Sequence, residues 1–497
     1  MAFPDDPTPP AESGSSPQEA ESAPRAGQPA AAQATRLALP PGARRVMRAL
    51  EEAGFEAWVV GGFVRDALLG RDRTDVDIAS SAPWERTARV CRQAGMTVHE
   101  TGTQHGTVTV VAEGEAIEVT TFRLDGPYKD GRHPASVKRA QTISEDLARR
   151  DFTMNAIAYR PGFGVLDPYG GRSDMARRVI RAVGDPEQRF AEDGLRILRA
   201  CRFASELGFS IDPATMQGMV RNKGLLPHVS AERVRHELEL LLLGDFAGKA
   251  LVETVDALAA ALPELVAMKG FDQCTPYHIY DVLEHTARVI DNVPAEPLLR
   301  WSALFHDMGK PATFYTDDTG RGHFFGHQLL SVSMAKGIMM RLKMSPAFAE
   351  RVCSLVRMHD DQIAPTPRSV KRAITRLDGD AELFRSLCKL KRGDSLGQSP
   401  RYSSRLETAG KLEKVLDEIL ASGDAFTLKQ LAASGRDAIE AGLPQGPLVG
   451  EALQAALDAV IDGDLENHPD DVKRFLRKRA QAIASPPAAA GERGSAS

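Results

Sequence analysis

The chain has 497 residues, 42% of them hydrophobic, and a formal net charge of −5, so we expect roughly two to four structural units. The mild negative charge does not exclude nucleic-acid binding, because a local basic surface is sufficient for that. The five cysteines are scattered without a CxxC pair, which excludes a disulfide framework and suits a reducing cytosol. No apolar run approaches the ~20 residues of a membrane span, and no secretory signal is recognisable, so we expect a cytoplasmic protein without membrane contact.

The first structured unit is predicted after a long polar segment. Residues 1–38 are rich in Pro, Ala, Ser and Gly, and are predicted to be disordered. A helix is expected at 42–53, and a short helix in FVRDALLG (63–70). Strands are expected from β-branched content and alternation in EAWVV (56–60), TDVDIAS (74–80), TVTVV (107–111) and AIEVTTF (116–122). These elements predict a small mixed-sheet head over 39–175.

Beyond residue 175 the apolar spacing becomes mostly helical, which predicts an α+β protein with a helical remainder. The clearest helical segments are 193–207, 231–243, 278–291, 297–308, 327–342 and 346–358. We divide this part into a neck, a second functional domain, a helical tail and a disordered end, at residues 176–268, 269–420, 421–485 and 486–497.

A glycine turn and two aspartates form the first candidate site. Gly61 and Gly62 follow a predicted strand and open a helix, where backbone and helix terminus favour a triphosphate, and Arg65 could add a charge-assisted contact. Asp75 and Asp77 are two residues apart in a predicted strand and therefore point to the same face. Paired carboxylates suit Mg²⁺, and two such ions about 4 Å apart can activate a 3′-hydroxyl and stabilise leaving pyrophosphate.

WVVGGFVRDALLG followed by DVDIAS resembles the head of polymerase-β-type nucleotidyltransferases, specifically bacterial class II CCA-adding enzymes and their poly(A) polymerase relatives. The resemblance implies that Gly62 and Arg65 bind nucleotide, and that Asp75 and Asp77 are catalytic and hold Mg²⁺. Glu118, on a later strand, is a candidate auxiliary acid.

Two later motifs continue this resemblance in family order. In RRDFTMNA it implies that Arg150 and Asp151 hold the ribose and the phosphates. In EDGLRILRACRF it implies that the carboxylate of Asp193 and the guanidinium of Arg196 read the base. Cytosine and adenine both carry the amino group that such a carboxylate accepts from. Nucleotide and phosphate would be supported by two further arginines, Arg199 and Arg202.

A set of histidines and aspartates forms a third candidate site, because imidazoles and carboxylates that converge from several helices can hold a metal. Their order resembles that of HD phosphohydrolases. The resemblance implies one divalent transition metal, of unknown identity, on His285, His306, Asp307 and Asp394. A possible second metal would extend the site to His327 and His359. The bound water would attack a phosphate ester, for example a 2′,3′-cyclic phosphate on damaged tRNA.

Together these motifs imply a tRNA nucleotidyltransferase that adds or repairs the 3′-terminal CCA from CTP and ATP without a nucleic-acid template. A poly(A) polymerase is the nearest alternative, but GTQHGTV (102–108) is typical of the CCA-adding version. An enzyme that adds only CC or only A stays open. An alternative of another class is an HD phosphohydrolase acting on RNA or nucleotide phosphates, whose head only binds. The sequence does not indicate an oligomeric state.

Overall fold

The computed structural model describes five stretches of the chain, residues 36–72, 75–126, 137–276, 278–399 and 404–484. The two terminal segments predicted to be disordered lie outside the described residues, apart from residues 36–38 at the end of the first.

The head is built on one seven-stranded sheet. Its strand order is β3-β4-β5-β2-β1-β8-β9; β2 and β5 run parallel, and the other neighbours are antiparallel. Three two-stranded sheets, β6-β7, β10-β11 and β12-β13, complete the set among the described residues. The strands are β1 (Ala57–Val60), β2 (Asp77–Ser80), β3 (Thr97–His99), β4 (Thr107–Ala112), β5 (Glu115–Thr121), β6 (Arg123–Asp125), β7 (Val137–Arg139), β8 (Ala158–Arg160), β9 (Gly164–Leu166), β10 (Val179–Ile180), β11 (Ser210–Ile211), β12 (Tyr315–Thr316) and β13 (Gly322–His323).

The predicted head strands are present, with one shift. The strand predicted over 74–80 begins only at Asp77, where its ladder with β1 ends opposite Val60. The chain of β1 turns away at Gly61, so the two described residues directly before Asp77 have no partner in β1. Asp75 therefore precedes the strand rather than lying in it.

The rest of the described chain is mainly helical. The helices are α1 (Pro41–Glu52), α2 (Gly62–Leu68), α3 (Trp84–Gln93), α4 (Ile143–Ala148), α5 (Gly171–Ala176), α6 (Pro186–Glu192), α7 (Leu195–Leu207), α8 (Pro213–Asn222), α9 (Ala231–Leu243), α10 (Ala247–Leu258), α11 (Val282–Asn292), α12 (Pro297–Phe305), α13 (Lys310–Thr313), α14 (His327–Arg341), α15 (Pro346–Met358), α16 (Pro367–Thr375), α17 (Ala381–Gly397), α18 (Ser404–Ser422), α19 (Gly435–Glu440), α20 (Pro447–Asp462) and α21 (Pro469–Ala484).

One hydrophobic core runs from the head into the helical part. It extends from Leu39 to Phe426, because the buried faces of successive helices pack against one another without a break. The opposite face of the sheet buries a smaller cluster that includes Trp58 and Phe122. Helices α19 to α21 pack around a separate core, which includes Leu476. This arrangement confirms the predicted α+β class, a mixed-sheet head followed by a mostly helical remainder.

Candidate functional sites

The glycine turn brings backbone and an arginine into close contact. Gly61 has a φ of +71°, which favours glycine, and it caps the start of α2 at Gly62. A Cβ at Gly61 would lie 2.8 Å from Nη1 of Arg150, so a side chain there would displace the guanidinium. The turn therefore places Arg150 directly over the loop that was predicted to bind phosphates.

Arg65 lies beneath this turn and is 2% exposed. It donates two hydrogen bonds to the Asp66 carboxylate, at 2.8 and 2.9 Å, and one to Asn155 Oδ1 at 2.8 Å. Its guanidinium also lies 4.9 Å from the centre of the Phe203 ring. These contacts of Arg65 stabilise the glycine turn. The predicted contact between Arg65 and a phosphate would have to compete with them.

All three head carboxylates are exposed, and two of them, Asp77 and Glu118, share one face of the sheet. Asp75 and Asp77 are exposed, whereas Val76 between them is 3% exposed. Glu118 is also exposed and stands directly opposite Asp77 in the parallel pairing of β2 with β5. Adjacent strands place paired side chains about 4.7–4.9 Å apart, so Glu118 is within reach of a cation held at Asp77.

The second motif supplies positive charge to the same side. Arg150 lies 3.6 Å from Asp146. Burial lowers the pKa of Arg150, and the negative charges of Asp146 and Asp77 act in the opposite direction. A guanidinium that is attracted by Asp77 and touches the glycine turn is suitably placed for a phosphate that a cation holds at Asp77.

Asp151 is buried within a hydrogen-bond network. Its Oδ1 accepts from Phe152 N at 2.8 Å and from Asn155 Nδ2 at 3.0 Å, and its Oδ2 accepts from Arg199 Nε at 2.8 Å. Burial raises the pKa of Asp151, but the charge of Arg199 and the bond from Asn155 outweigh it and hold the pKa well below the usual range. Asp151 is therefore ionised and positions Arg199.

Asp193 and Arg196 do not share a helix, which corrects the predicted segment 193–207. Helix α6 ends at Glu192, and α7 begins only at Leu195, because Asp193 is extended (φ −144°, ψ 106°). The Asp193 carboxylate accepts from Leu195 N at 3.0 Å and from Arg233 at 3.3 Å.

The break between these helices explains Gly194. A Cβ there would lie 2.9 Å from Cβ of Leu225 and 3.4 Å from its carbonyl carbon, so glycine permits a close backbone approach. Gly194 caps α7 and does not lie inside it, as the predicted helix would require.

Arg196 is held by a carboxylate and two carbonyls. Its Nη1 donates to Glu192 and to Arg189 O at 2.9 Å, and its Nη2 donates to Arg149 O at 3.0 Å. The predicted pairing of Asp193 with Arg196 as joint base readers therefore requires both side chains to exchange their present partners.

The remaining two neck arginines converge on Glu237, which sequence reasoning did not single out. Glu237 Oε2 lies 2.9 Å from Nε of Arg202, and its Oε1 lies 4.0 Å from Arg199. Burial raises the pKa of Glu237, and the two arginines counteract it. The sequence did contain a signal for Glu237. It is a glutamate among the apolar positions of α9, and a glutamate buried at such a position is usually paired with a cation.

Six predicted metal ligands come together in the helical part, and all are buried. His285 Nε2 lies 3.2 Å from His306 Nε2, 3.3 Å from Asp307 Oδ2 and 3.1 Å from Asp394 Oδ1. This geometry unites the first predicted ligand set, although the residues come from α11, the end of α12 and α17.

The other two histidines meet the opposite oxygen of the same aspartate. His327 Nε2 and His359 Nε2 lie 3.4 and 3.5 Å from Asp307 Oδ1, and 3.3 Å from each other. Asp307 is thus shared between two potential ligand groups, one on each carboxylate oxygen.

All four imidazoles are oriented by the backbone. In each ring Nδ1 lies 2.7–3.2 Å from a carbonyl oxygen, and Nε2 points into the cluster. Because Nδ1–H can donate to that carbonyl, Nε2 is left to ligate in the neutral ring, which is the usual arrangement of metal-binding histidines. The carbonyls belong to Gly397, Ala303, Phe324 and Val356.

The electrostatics of the cluster also suit a cation. Both oxygens of Asp307 are buried and accept no well-formed hydrogen bond, although Lys310 Nζ lies 2.7 Å from Oδ2. Burial raises the pKa of Asp307, but His306 and Lys310 outweigh it and hold the pKa well below its usual range. A buried, ionised carboxylate surrounded by imidazole nitrogens is a set of donors that a divalent metal completes.

Comparisons with protein families match three parts of the chain. The poly A polymerase head domain matches residues 57–181. The probable RNA and SrmB-binding site of polymerase A matches 208–268, and the HD domain matches 276–390.

Relatives that match most of the chain decide the family. The CCA-adding enzyme of Geobacillus stearothermophilus is 36% identical over 87% of this chain and 96% of its own length. The chain belongs to the CCA-adding enzyme family. The CCA-adding enzyme of Leuconostoc mesenteroides is 34% identical over 88% of this chain and 96% of its own length. A crystal structure of Bacillus stearothermophilus CCA-adding enzyme in complex with CTP has a TM-score of 0.66 and 31% identity, and covers 90% of this chain and 99% of that one.

Membership of the CCA-adding family confirms the predicted resemblance and the predicted nucleotidyltransferase class. It favours CCA addition over the poly(A) polymerase alternative, because the curated relatives are CCA-adding enzymes. Among the described residues, the helices are each too short or too polar to cross a bilayer.

The HD cluster of this CCA-adding family member includes two residues that sequence reasoning missed. Lys310 also donates to Gln273 Oε1 at 2.8 Å, and its signal was its position three residues after Asp307. His278 packs edge-on against His285, with ring centres 4.9 Å apart. Burial and the charge of Lys310 lower the pKa of His278 to about 2, so this ring is neutral.

Proposed function

We propose that the head and neck add the 3′-terminal CCA to tRNA from CTP and ATP, and that the HD cluster is a second, hydrolytic site. The observation that carries the first proposal is the alignment of exposed Asp75, Asp77 and Glu118 beside the Gly61 turn and Arg150. A cytoplasmic location is proposed with this function, because tRNA is processed there.

Asp75 and Asp77 would hold Mg²⁺, with Glu118 as an auxiliary acid. The metal, when bound, activates the 3′-hydroxyl and stabilises the leaving pyrophosphate. The protein's own contribution is positioning and fixed charge. Backbone N–H groups at the start of α2, including that of Gly62, bind the triphosphate, and Arg150 neutralises it. Arg65 supports the turn from beneath.

Base selection is proposed for the break between α6 and α7. Asp193 would accept from the exocyclic amine of cytosine or adenine, and Arg196 would donate to the neighbouring ring position. The incoming base replaces Glu192 as the partner of Arg196, and competes with Arg233 for Asp193. Asp151 and the row of Arg199 and Arg202 would hold the sugar and the phosphates.

The six-residue HD cluster would hold one divalent metal on His285, His306, Asp307 and Asp394, and a second on His327 and His359 with Asp307 shared. A metal there supplies an activated water for attack on a phosphate ester. The proposed substrate is a phosphate ester of RNA, such as a 2′,3′-cyclic phosphate. Lys310, held at Asp307, adds positive charge for the substrate phosphate.

The domain division predicted from sequence is proposed with these roles: head 39–175, neck 176–268, HD domain 269–420 and tail 421–485, the last contacting tRNA. The separate core of α19 to α21 supports a distinct tail.

Incorporation of labelled CTP and ATP into tRNA lacking CCA, with Mg²⁺, tests the first proposal. Three added nucleotides, lost in Asp77→Ala but kept in Glu113→Gln at the far end of the β4–β5 hairpin, are expected. Stopping after CC, or adding only A to tRNA that ends in CC, would indicate split specificity, and long A tails a polymerase.

The wild-type protein and an Asp307→Ala variant test the alternative from another functional class. An HD phosphohydrolase with a merely binding head predicts no incorporation by the wild-type protein, and loss of its main activity in Asp307→Ala alone.

A further inference from the structure

Three aromatic rings lie close together on a hairpin beside the HD cluster. In the antiparallel pairing of β12 with β13, Tyr315 stands opposite His323, and Phe325 follows shortly after. The ring centres are 5.2 Å apart for Tyr315–His323, 5.7 Å for His323–Phe325 and 5.8 Å for Tyr315–Phe325. The three planes lie within 31° of one another. We call Tyr315, His323 and Phe325 the aromatic platform.

The platform faces solvent, although burial would stabilise such side chains. Phe325 is 74% exposed and Tyr315 is 47% exposed. Large rings are usually stabilised by burial in an apolar core, and these two exposed rings lack that stabilisation. Such rings, held nearly parallel, are suited to a flat ligand that stacks on them.

The orientation of the platform is fixed by polar contacts. His323 Nε2 lies 2.7 Å from Asp317 Oδ2, and Asp317 Oδ1 also accepts from the backbone of Thr319 and Arg321. The hairpin turn therefore holds the central ring before any ligand arrives. Preorganisation of this kind reduces the entropic cost of binding.

The platform and the metal-ligand cluster share one cleft. Its volume is about 240 Å³, and His323 and Phe325 line it together with Asp307, His327, His359 and Asp394. Phe325 is two residues from His327, so at most about 7 Å of chain separates them. The backbone oxygen of Phe324, between the platform residues, accepts from His327 Nδ1 at 2.8 Å.

We propose that the aromatic platform stacks the nucleobase of the ligand whose phosphate is bound at the HD cluster. The cleft then selects nucleotides and unpaired RNA ends over phosphate esters that lack a base. This inference rests on the proposed hydrolytic function for the identity of the reaction, but the binding of a base does not depend on hydrolysis.

Binding of adenosine 5′-monophosphate and of ribose 5-phosphate to the full chain, by calorimetry with Mn²⁺, tests the platform. Base stacking is worth enough that Phe325→Ala should weaken nucleotide binding at this cleft about 5- to 150-fold. Ribose 5-phosphate has the same sugar and phosphate, and its affinity should not change. Phe325→Trp should retain nucleotide binding, because it keeps a stacking surface.

Leu329→Ala is the matched control, since Leu329 is 65% exposed on α14 but does not line the cleft. It should leave both affinities unchanged. Any nucleotide bound by the head is common to all variants and cancels in the comparison. Incorporation of CTP and ATP should also be the same in Phe325→Ala.

Equal affinity of the wild-type protein and Phe325→Ala for the nucleotide would refute nucleobase binding by the aromatic platform. Self-association of the wild-type protein in sedimentation, abolished in Phe325→Ala, would also refute it, because the rings would then form an interface between copies. A third outcome is that Phe325→Ala binds the nucleotide more weakly than the wild-type protein, but the wild-type protein shows no metal-dependent hydrolysis of adenosine 2′,3′-cyclic phosphate. That outcome would refute the hydrolytic function alone.

Discussion

Metal binding at the HD cluster should stabilise the fold, and the structure allows the magnitude to be worked out. The ligands come from helices α11, α12, α14, α15 and α17 or from the residues directly after them, so a bound ion joins elements that separate on unfolding. Without metal, Asp307 Oδ2 lies 2.7 Å from Lys310 Nζ, whereas buried Oδ1 lies 3.4 and 3.5 Å from Nε2 of His327 and His359, and a poorly satisfied buried oxygen of this kind costs about 1–3 kcal/mol.

A ligand that binds only the native state at 100 times its Kd contributes about 2.7 kcal/mol. The core that runs from Leu39 to Phe426 joins the head, the neck and the HD domain in one unfolding unit of roughly 390 residues, for which 1 kcal/mol moves Tm by about 1 °C, so we expect a rise of about 3 °C. Scanning calorimetry of the full chain, in EDTA and in excess Mn²⁺, measures this shift in the main transition.

Asp307→Asn should remove the shift, because it discharges the carboxylate that both ligand groups share. Asp360→Asn is the matched control, since Asp360 lines the same cleft but pairs with Arg405 at 3.5 Å. Asp77→Ala should keep the shift and thereby exclude a contribution from the head. An equal Mn²⁺ effect in Asp307→Asn and the wild-type protein would refute the reasoning.

Four further predictions concern single residues. Gly61→Ala should reduce CTP incorporation at least tenfold, because the φ of +71° and the Arg150 contact both exclude a Cβ; unchanged single-turnover rates would contradict this. Asp151 has a depressed folded pKa, so its stabilisation is present above its ordinary value of 3.8 and is lost as pH falls below it; urea midpoints between pH 5 and 3 should fall less steeply in Asp151→Asn. Asp151→Asn should also cost about 1.5–3 kcal/mol at neutral pH, because it removes the charged partner of Arg199, whose side chain is 34% exposed. A thiol reagent should modify one of the five cysteines rapidly in the native protein, Cys274, since the others are buried; two or more fast thiols would contradict the burial.

The convergence of the six candidate metal ligands could be predicted from sequence because their chemistry is specific to residue type. Histidines and aspartates are the residues that hold metals from several helices, and all six predicted side chains meet. What the order of residues could not reveal is that Asp307 faces one ligand group with each oxygen. That division depends on how the helices pack, which local periodicity does not encode.

The neck was harder to predict, for a physical reason that Asp193 and Gly194 illustrate. Apolar spacing continues through residues 193–207, so it favours one uninterrupted helix. The backbone leaves helical geometry at Asp193, and Leu225 packs so closely against the break that a Cβ at Gly194 would lie 2.9 Å from its own Cβ. This contact joins residues 31 positions apart in the sequence, so local apolar spacing does not encode it.

For the proposed role of Asp193 and Arg196 in reading the base, the break between α6 and α7 has a consequence. On one continuous helix, Asp193 and Arg196 would face the nucleotide as a fixed row. In the structure each is already satisfied, Arg196 by Glu192 and Asp193 by Arg233. A cytosine or adenine must therefore offer hydrogen bonds good enough to replace existing ones, whereas a base with the opposite donor pattern would leave a charged group unpaired. Because an unpaired charge costs more than a lost contact, this exchange discriminates against wrong bases more strongly than an empty pocket would.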